Sequence, residues 1–212
     1  MIKDPIAKPA QGISSVILAG GDSRRLGIDK ALLELDGQTL LSRVLQKLAP
    51  LSDDLIVVTN SPEDYEHLAL GVRFVPDERP GEGALMGIYS GLKAATYLSA
   101  LTVACDMPFL NMSLLRVMLD KIAGHDAVVP RLEGGLLEPL HAVYGKRCLP
   151  FMAPLLAQGR RRIAAFLDQV DVFYVEQATI DRLDPFGLSF VNINTAADWQ
   201  RAQRLLDRPR SE

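Results

Sequence analysis

Short apolar runs and helical stripes alternate along this 212-residue chain. Residues 15–19 (SVILA), 55–59 (LIVVT), 72–75 (VRFV), 101–105 (LTVAC) and 127–129 (AVV) are brief and rich in Val, Ile and Leu. Continuous apolar character over so few positions suits strands buried on both faces of a parallel sheet. Between them, Leu40, Leu41, Val44, Leu45 and Leu48 fall on one helical stripe. Residues 85–98 and 114–122 repeat that spacing, through Leu85, Ile88, Leu92 and Ala95 and through Leu114, Leu115, Met118, Leu119 and Ile122. Strands alternating with helices at these intervals predict an α/β fold, an open, doubly wound sheet.

The second half is less regular. Residues 137–144 read as an antiparallel return, and 149–156 as a short helix with Pro150 near its start. Residues 160–167 predict a second short helix. Residues 172–175 and 188–193 predict further strands. Residues 195–206 predict a closing helix, with Thr195 as N-cap and Asp198 in its first turn. No linker or repeat interrupts the pattern. The expectation is a leader over residues 1–12 and one domain over 13–207.

Composition sets bounds. Hydrophobic residues make up 48% and charged residues 23%, which suits a packed globular chain. A net charge of −3 gives no general affinity for nucleic acid, so any anion site must be local. Two cysteines, Cys105 and Cys148, and three scattered histidines exclude a disulfide scaffold and a Cys-rich zinc module. No apolar run is long enough to span a membrane, and residues 1–12 carry no export signal. The expected compartment is the cytoplasm, with no membrane and no nucleic-acid partner.

The candidate chemistry begins directly after the first strand, at LAGGDSRRLGIDK, residues 18–30. In a parallel α/β sheet, ligands bind beyond the carboxyl ends of the strands. Gly20 and Gly21 allow close backbone approach to a ligand. Arg24, Arg25 and Lys30 supply cations of the kind a triphosphate needs. The stretch is neither a P-loop nor a dinucleotide fingerprint. The same residues also fit a basic surface turn. Asp106, in CDMP at the end of another apolar run, offers a hard oxygen ligand suited to Mg²⁺ with nucleotide phosphates. A helix-capping Asp is the alternative. His141, Cys105 and Trp199 read as core residues, His141 as a hydrogen-bonded structural histidine. No Ser/His/Asp or Cys/His arrangement stands out.

The pattern L-A-G-G-x-S-R-R-x-G-x-D-K, followed later by D-x-P, resembles the nucleotidyltransferases of the molybdenum cofactor pathway, most closely the molybdenum cofactor guanylyltransferases. PLHAVY (139–144), GRRRI (159–163) and NINT (192–195) follow in that family's order. The resemblance implies a three-layer Rossmann-like nucleotidyltransferase fold with a mostly parallel central sheet. It implies transfer of GMP from GTP to molybdopterin, with release of pyrophosphate. By the same resemblance Leu18, Ala19, Gly20 and Gly21 contact the nucleoside, and Asn60 and Asp77 complete its pocket. Arg24, Arg25 and Lys30 meet the phosphates, and Asp106 binds GTP and Mg²⁺. Arg160, Asn192 and Asn194 line the molybdopterin side. Partners are then the two substrates, plus transient contacts with other enzymes of the pathway. Leu26 stands where the family has Met, and Asp22 puts a carboxylate beside the cations. Two rivals stay open: a sibling using CTP or another acceptor phosphate, and a non-catalytic binder on the same fold.

Overall fold

A computed structural model describes residues 12–20 and 29–206. The expected leader, apart from Gly12, and residue 207 lie outside that range. Seven strands form one sheet in the order β5-β4-β1-β6-β8-β7-β9. They are β1 (Ser14–Leu18), β4 (Asp54–Val58), β5 (Arg73–Val75), β6 (Ser99–Ala104), β7 (Ala127–Arg131), β8 (His141–Gly145) and β9 (Val172–Glu176). Only β8 runs antiparallel to its neighbours, β6 and β7. The other pairs are parallel. The sheet is mostly parallel, as expected, and the 137–144 segment supplies the antiparallel return.

Burial on both faces follows from the strand sequences. In β1, Ile17 enters a core shared with α1 (Leu40–Leu48) and α3 (Met112–Lys121). Val16 and Leu18 face the other way, into a core with α2 (Ala84–Ala94), α4 (Leu149–Ala157) and α5 (Ala164–Leu167). Helix α6 (Gln177–Leu183) adds Ile180 to the first core. Helix α2 lies very close on β1. A Cβ on Gly91 would sit 2.3 Å from Val16 Cγ1. A two-stranded hairpin, β2 (Glu34–Leu35) and β3 (Gln38–Thr39), turns through Asp36 and Gly37 at positive φ. It packs against α7 (Ala196–Leu206), where Trp199 Nε1 donates to the Glu34 carbonyl at 2.9 Å. Thr195 Oγ1 accepts from Asp198 N at 3.2 Å, and Asp198 Oδ2 accepts from Thr195 N at 2.9 Å, a reciprocal cap for α7.

Three expected elements differ. Helix α2 stops at Ala94 rather than 98, because the Thr96 and Tyr97 amides donate to Asp54 Oδ2 and Ser14 Oγ. The 160–167 helix shrinks to Ala164–Leu167. Gly159, at φ +68°, ends α4, and the three exposed arginines after it have no face to bury. Residues 188–193 form no strand. They make a 3₁₀ turn, Leu188–Phe190, tied through both the amide and the hydroxyl of Ser189. Ser189 N donates to Asp184 Oδ2 at 2.8 Å, and Ser189 Oγ accepts from Asn111 N at 3.0 Å.

Candidate active site

The carboxyl ends of β1, β4, β5 and β6 share one edge of the sheet, and Lys30, Asn60, Asp77, Asp106 and Asn194 lie there. The strand ends are laced together by backbone. Ala19 N donates to the Val58 carbonyl at 3.0 Å, and Cys105 N donates to the Leu18 carbonyl at 3.1 Å. Gly20 borders open space, since a Cβ there would meet nothing nearer than the Val58 carbonyl at 3.8 Å. Among the described residues, then, no side chain covers Gly20, and the backbone of residues 18–20 is presented at the edge.

Lys30 opens a 3₁₀ turn, Lys30–Leu32, whose N-cap is Asp29. Asp29 Oδ1 accepts from Ala31 N at 2.9 Å. Lys30 Nζ lies 3.8 Å from Asp106 Oδ2 and donates to Asn194 Oδ1 at 2.5 Å. These three residues come from distant segments. Asp106 follows β6. Asn194 arrives on the segment after Phe190, fixed by Ile193 N donating to the Asp106 carbonyl at 2.9 Å. Burial raises the Asp106 pKa above the usual carboxylate value, although the Lys30 charge pulls it down. A partly buried cation and carboxylate thus share one corner with the amide of the exposed Asn194.

A second pair faces the same edge. Asn60, after β4, donates from Nδ2 to Asp77 Oδ2 at 2.9 Å, and its Oδ1 accepts from Asp77 N at 2.9 Å. This two-bond clamp fixes the rotamer of Asp77. The other oxygen, Asp77 Oδ1, is buried with no hydrogen-bond partner among the described residues. Burial raises the Asp77 pKa against the lowering hydrogen bond from Asn60. Gly87, in the first turns of α2, leaves room beside it. A Cβ there would lie 3.2 Å from Leu18 Cδ2 and 3.6 Å from Asp77 Oδ1. A buried acceptor without a donor is costly, and it marks a place where a ligand N–H would be welcome.

The remaining expected residues divide. Gly21, Arg24 and Arg25, with Asp22 and Leu26, lie outside the described residues. Asn192 is half-buried two positions before Asn194. Arg160 makes no side-chain contact with the Lys30 corner among the described residues. It follows α4, which begins near the C-terminal end of α2, where Lys146 Nζ reaches the Ala95 carbonyl at 2.5 Å, and packs along α2. His141 is buried, but not as a hydrogen-bonded histidine. Neither ring nitrogen has a partner among the described residues, its ring meets Phe190 edge-on at 5.2 Å, and burial lowers its pKa to about 4. Val103 pairs with it across the strands and Phe190 packs on its ring, so the buried ring is accommodated as a neutral aromatic. Tyr65 was not singled out from sequence. Its hydroxyl reaches the Ala19 carbonyl at 3.1 Å, and the only signal was one aromatic residue inside the polar stretch 61–67.

Among the described residues no group of three or more His, Cys, Asp or Glu could hold a metal ion. Asp106 alone, a partly buried carboxylate at the strand tip, fits Mg²⁺ in the manner of nucleotide enzymes, where substrate phosphates and water provide most ligands. Among the described residues no helix is long and apolar enough to cross a membrane.

The MobA-like NTP transferase domain family matches residues 15–172. A molybdenum cofactor guanylyltransferase of Desulfosudis oleivorans is 37% identical over 193 residues, covering 90% of this chain and 94% of its own. One of Syntrophotalea carbinolica is 35% identical over 193 residues, covering 90% of each. The solved structure of molybdopterin-guanine dinucleotide biosynthesis protein A from Archaeoglobus fulgidus superposes with a TM-score of 0.79 at 29% identity, covering 92% of this chain and 98% of that one. The mostly parallel sheet and these relatives agree, and the chain belongs to the molybdenum cofactor guanylyltransferase family, a family of nucleotidyltransferases.

Proposed function

We propose that the chain transfers GMP from GTP to the terminal phosphate of molybdopterin, giving the guanine dinucleotide cofactor and pyrophosphate. The convergence of Lys30, Asp106 and Asn194 at the carboxyl edge of the sheet carries this reading. In the reaction a phosphate oxygen of the acceptor attacks the α-phosphorus of GTP. One O–P bond forms, the bond from the α-phosphorus to the bridging oxygen breaks, and pyrophosphate leaves with the electron pair. Two anions must approach, so the protein's task is neutralisation and alignment. A phosphate monoester is largely ionised near neutral pH, so no strong general base is needed.

Each residue has a part in this account. Lys30 offsets charge on the phosphates, and Asn194 holds its ammonium group in place from the acceptor side. Arg24 and Arg25 add charge to the phosphate region. Asp106 would hold Mg²⁺, which when bound polarises the phosphates of the nucleotide. Leu18, Ala19, Gly20 and Gly21 present backbone to the nucleoside. Asp77 Oδ1 accepts from the N1–H and exocyclic amino group of guanine, and the Asn60 clamp keeps it aimed. Arg160 and Asn192 face the acceptor. The test is product identification. GTP labelled at the α-phosphorus and incubated with molybdopterin and Mg²⁺ should yield a labelled dinucleotide. Label recovered only as GTP or free GMP would overturn the proposal.

A further inference from the structure

Tyr65 sits in a 3₁₀ stretch, Pro62–Leu68, between β4 and β5. It is almost fully buried, and its ring stacks on Phe74 at 6.0 Å with the planes 16° apart. Such a ring is held firmly, so the position of its hydroxyl is set by the core. That hydroxyl meets two acceptors at once. One is the Ala19 carbonyl, 3.1 Å away at the end of β1. The other is Asp29 Oδ2, in a short hydrogen bond. The phenol has one proton, which is shared unequally. The charge-assisted bond to the carboxylate takes most of it. Burial first, then the hydrogen bond and charge of Asp29, push the phenol pKa far above its ordinary value, so the hydroxyl stays a donor at any working pH.

We infer that Tyr65 is a positioning residue for nucleotidyl transfer, its hydroxyl tying the end of β1 to the turn that carries Lys30. The chain of contacts is continuous. The Tyr65 hydroxyl fixes Asp29 Oδ2. Asp29 Oδ1 caps the 3₁₀ turn through Ala31 N, and the residue between them in sequence is Lys30. On the other branch the same hydroxyl lies 3.1 Å from the Ala19 carbonyl, which takes the smaller share of its proton, beside the backbone assigned to the nucleoside. One buried side chain therefore sets the spacing between the nucleoside contact and the phosphate cation. The inference rests on the transferase reading of the Lys30 corner, and it names a residue that touches neither substrate.

Tyr65→Phe keeps the stacked ring and removes only the hydroxyl. Asp29→Asn keeps the cap on the turn and removes the charged acceptor. With the fold intact by near-UV circular dichroism, each variant should lower kcat about 10- to 100-fold. KM for GTP should change by less than about threefold. The double variant should be no slower than the slower single, because both changes break one connection. Hydrogen exchange at Ala31 N–H should quicken at least about tenfold in Tyr65→Phe, with no matching rise across the sheet. Unchanged kcat in Tyr65→Phe, additive losses in the double variant, or exchange that rises uniformly would each overturn the inference. If Tyr65→Phe does not fold, Asp29→Asn alone decides by the same kcat and exchange criteria. Wild-type protein without turnover would sink the transferase reading, while the local exchange result would still decide whether Tyr65 holds the Lys30 turn.

Discussion

Replacing Asp77 by Asn should move stability and activity in opposite directions. In the ligand-free protein Asp77 Oδ2 is served by Asn60 Nδ2, while Oδ1 is buried and unpartnered among the described residues. Burial raises the Asp77 pKa, so at neutral pH the fold carries a carboxylate it would rather have neutral. Asn is a neutral near-isostere. It keeps an oxygen for Asn60 and relieves the burial of charge. The ligand-free protein should be unchanged or up to about 1 kcal/mol more stable. For a chain of this size that is a Tm rise of roughly 2–4 °C. Toward GTP the effect reverses. A hydrogen bond to a charged acceptor is worth about 1.5–3 kcal/mol, and an amide N–H facing the guanine donors adds repulsion. The expected fall in kcat/KM for GTP is about 10- to 100-fold. Inosine triphosphate lacks the exocyclic amino group, so the preference for GTP over it should shrink. The assay is pyrophosphate release with both nucleotides, alongside thermal unfolding. A variant with kcat/KM within about twofold of wild type, or one that loses activity only in step with a falling Tm, would refute the reasoning.

Other consequences follow from the same geometry. Lys30→Met removes the charge 3.8 Å from Asp106 and should lower kcat by about 10²–10³. It should also raise the Asp106 pKa further, moving the acid limb of the pH–rate profile to higher pH; a limb that stays in place would count against the pairing. Asp54→Asn disrupts a buried carboxylate that accepts from Ser14 Oγ at 2.5 Å, Arg73 Nη2 at 2.6 Å and Thr96 N at 2.8 Å. Burial alone would raise the Asp54 pKa, but these bonds outweigh it and leave it below the ordinary 3.8. Its contribution is therefore present above about pH 4 and is lost as pH falls through the lowered pKa. The variant should cost about 2 kcal/mol near neutral pH, read by urea unfolding. The gap from wild type should narrow in acid.

The strands were legible because a parallel sheet buries both faces and leaves unbroken apolar runs, as in residues 15–19 and 101–105. The Leu40–Leu48 helix was legible because a single stripe of leucines and Val44 meets the core. Residues 188–193 misled because Leu188, Phe190, Val191 and Ile193 make a short, mostly apolar run of β-compatible residues. Their amides go instead to Asp184 and to the Asp106 carbonyl, and the segment becomes the strap that delivers Asn194. Lys30 and Asp106 could be named from residue type and place. Their meeting with Asn194, 164 positions from Lys30, is a product of packing that no local pattern encodes. The orphan oxygen of Asp77 and the double contact of Tyr65 were likewise invisible, because both depend on where a buried side chain finds its partners.

The central claim is guanylyl transfer at the carboxyl edge of this sheet. The most direct measurement is the rate of pyrophosphate release with molybdopterin and Mg²⁺, comparing GTP, CTP, ATP and UTP in parallel. The account predicts release that depends on molybdopterin, with GTP strongly preferred. A preference for CTP, or no molybdopterin-dependent release from any of the nucleotides, would contradict it.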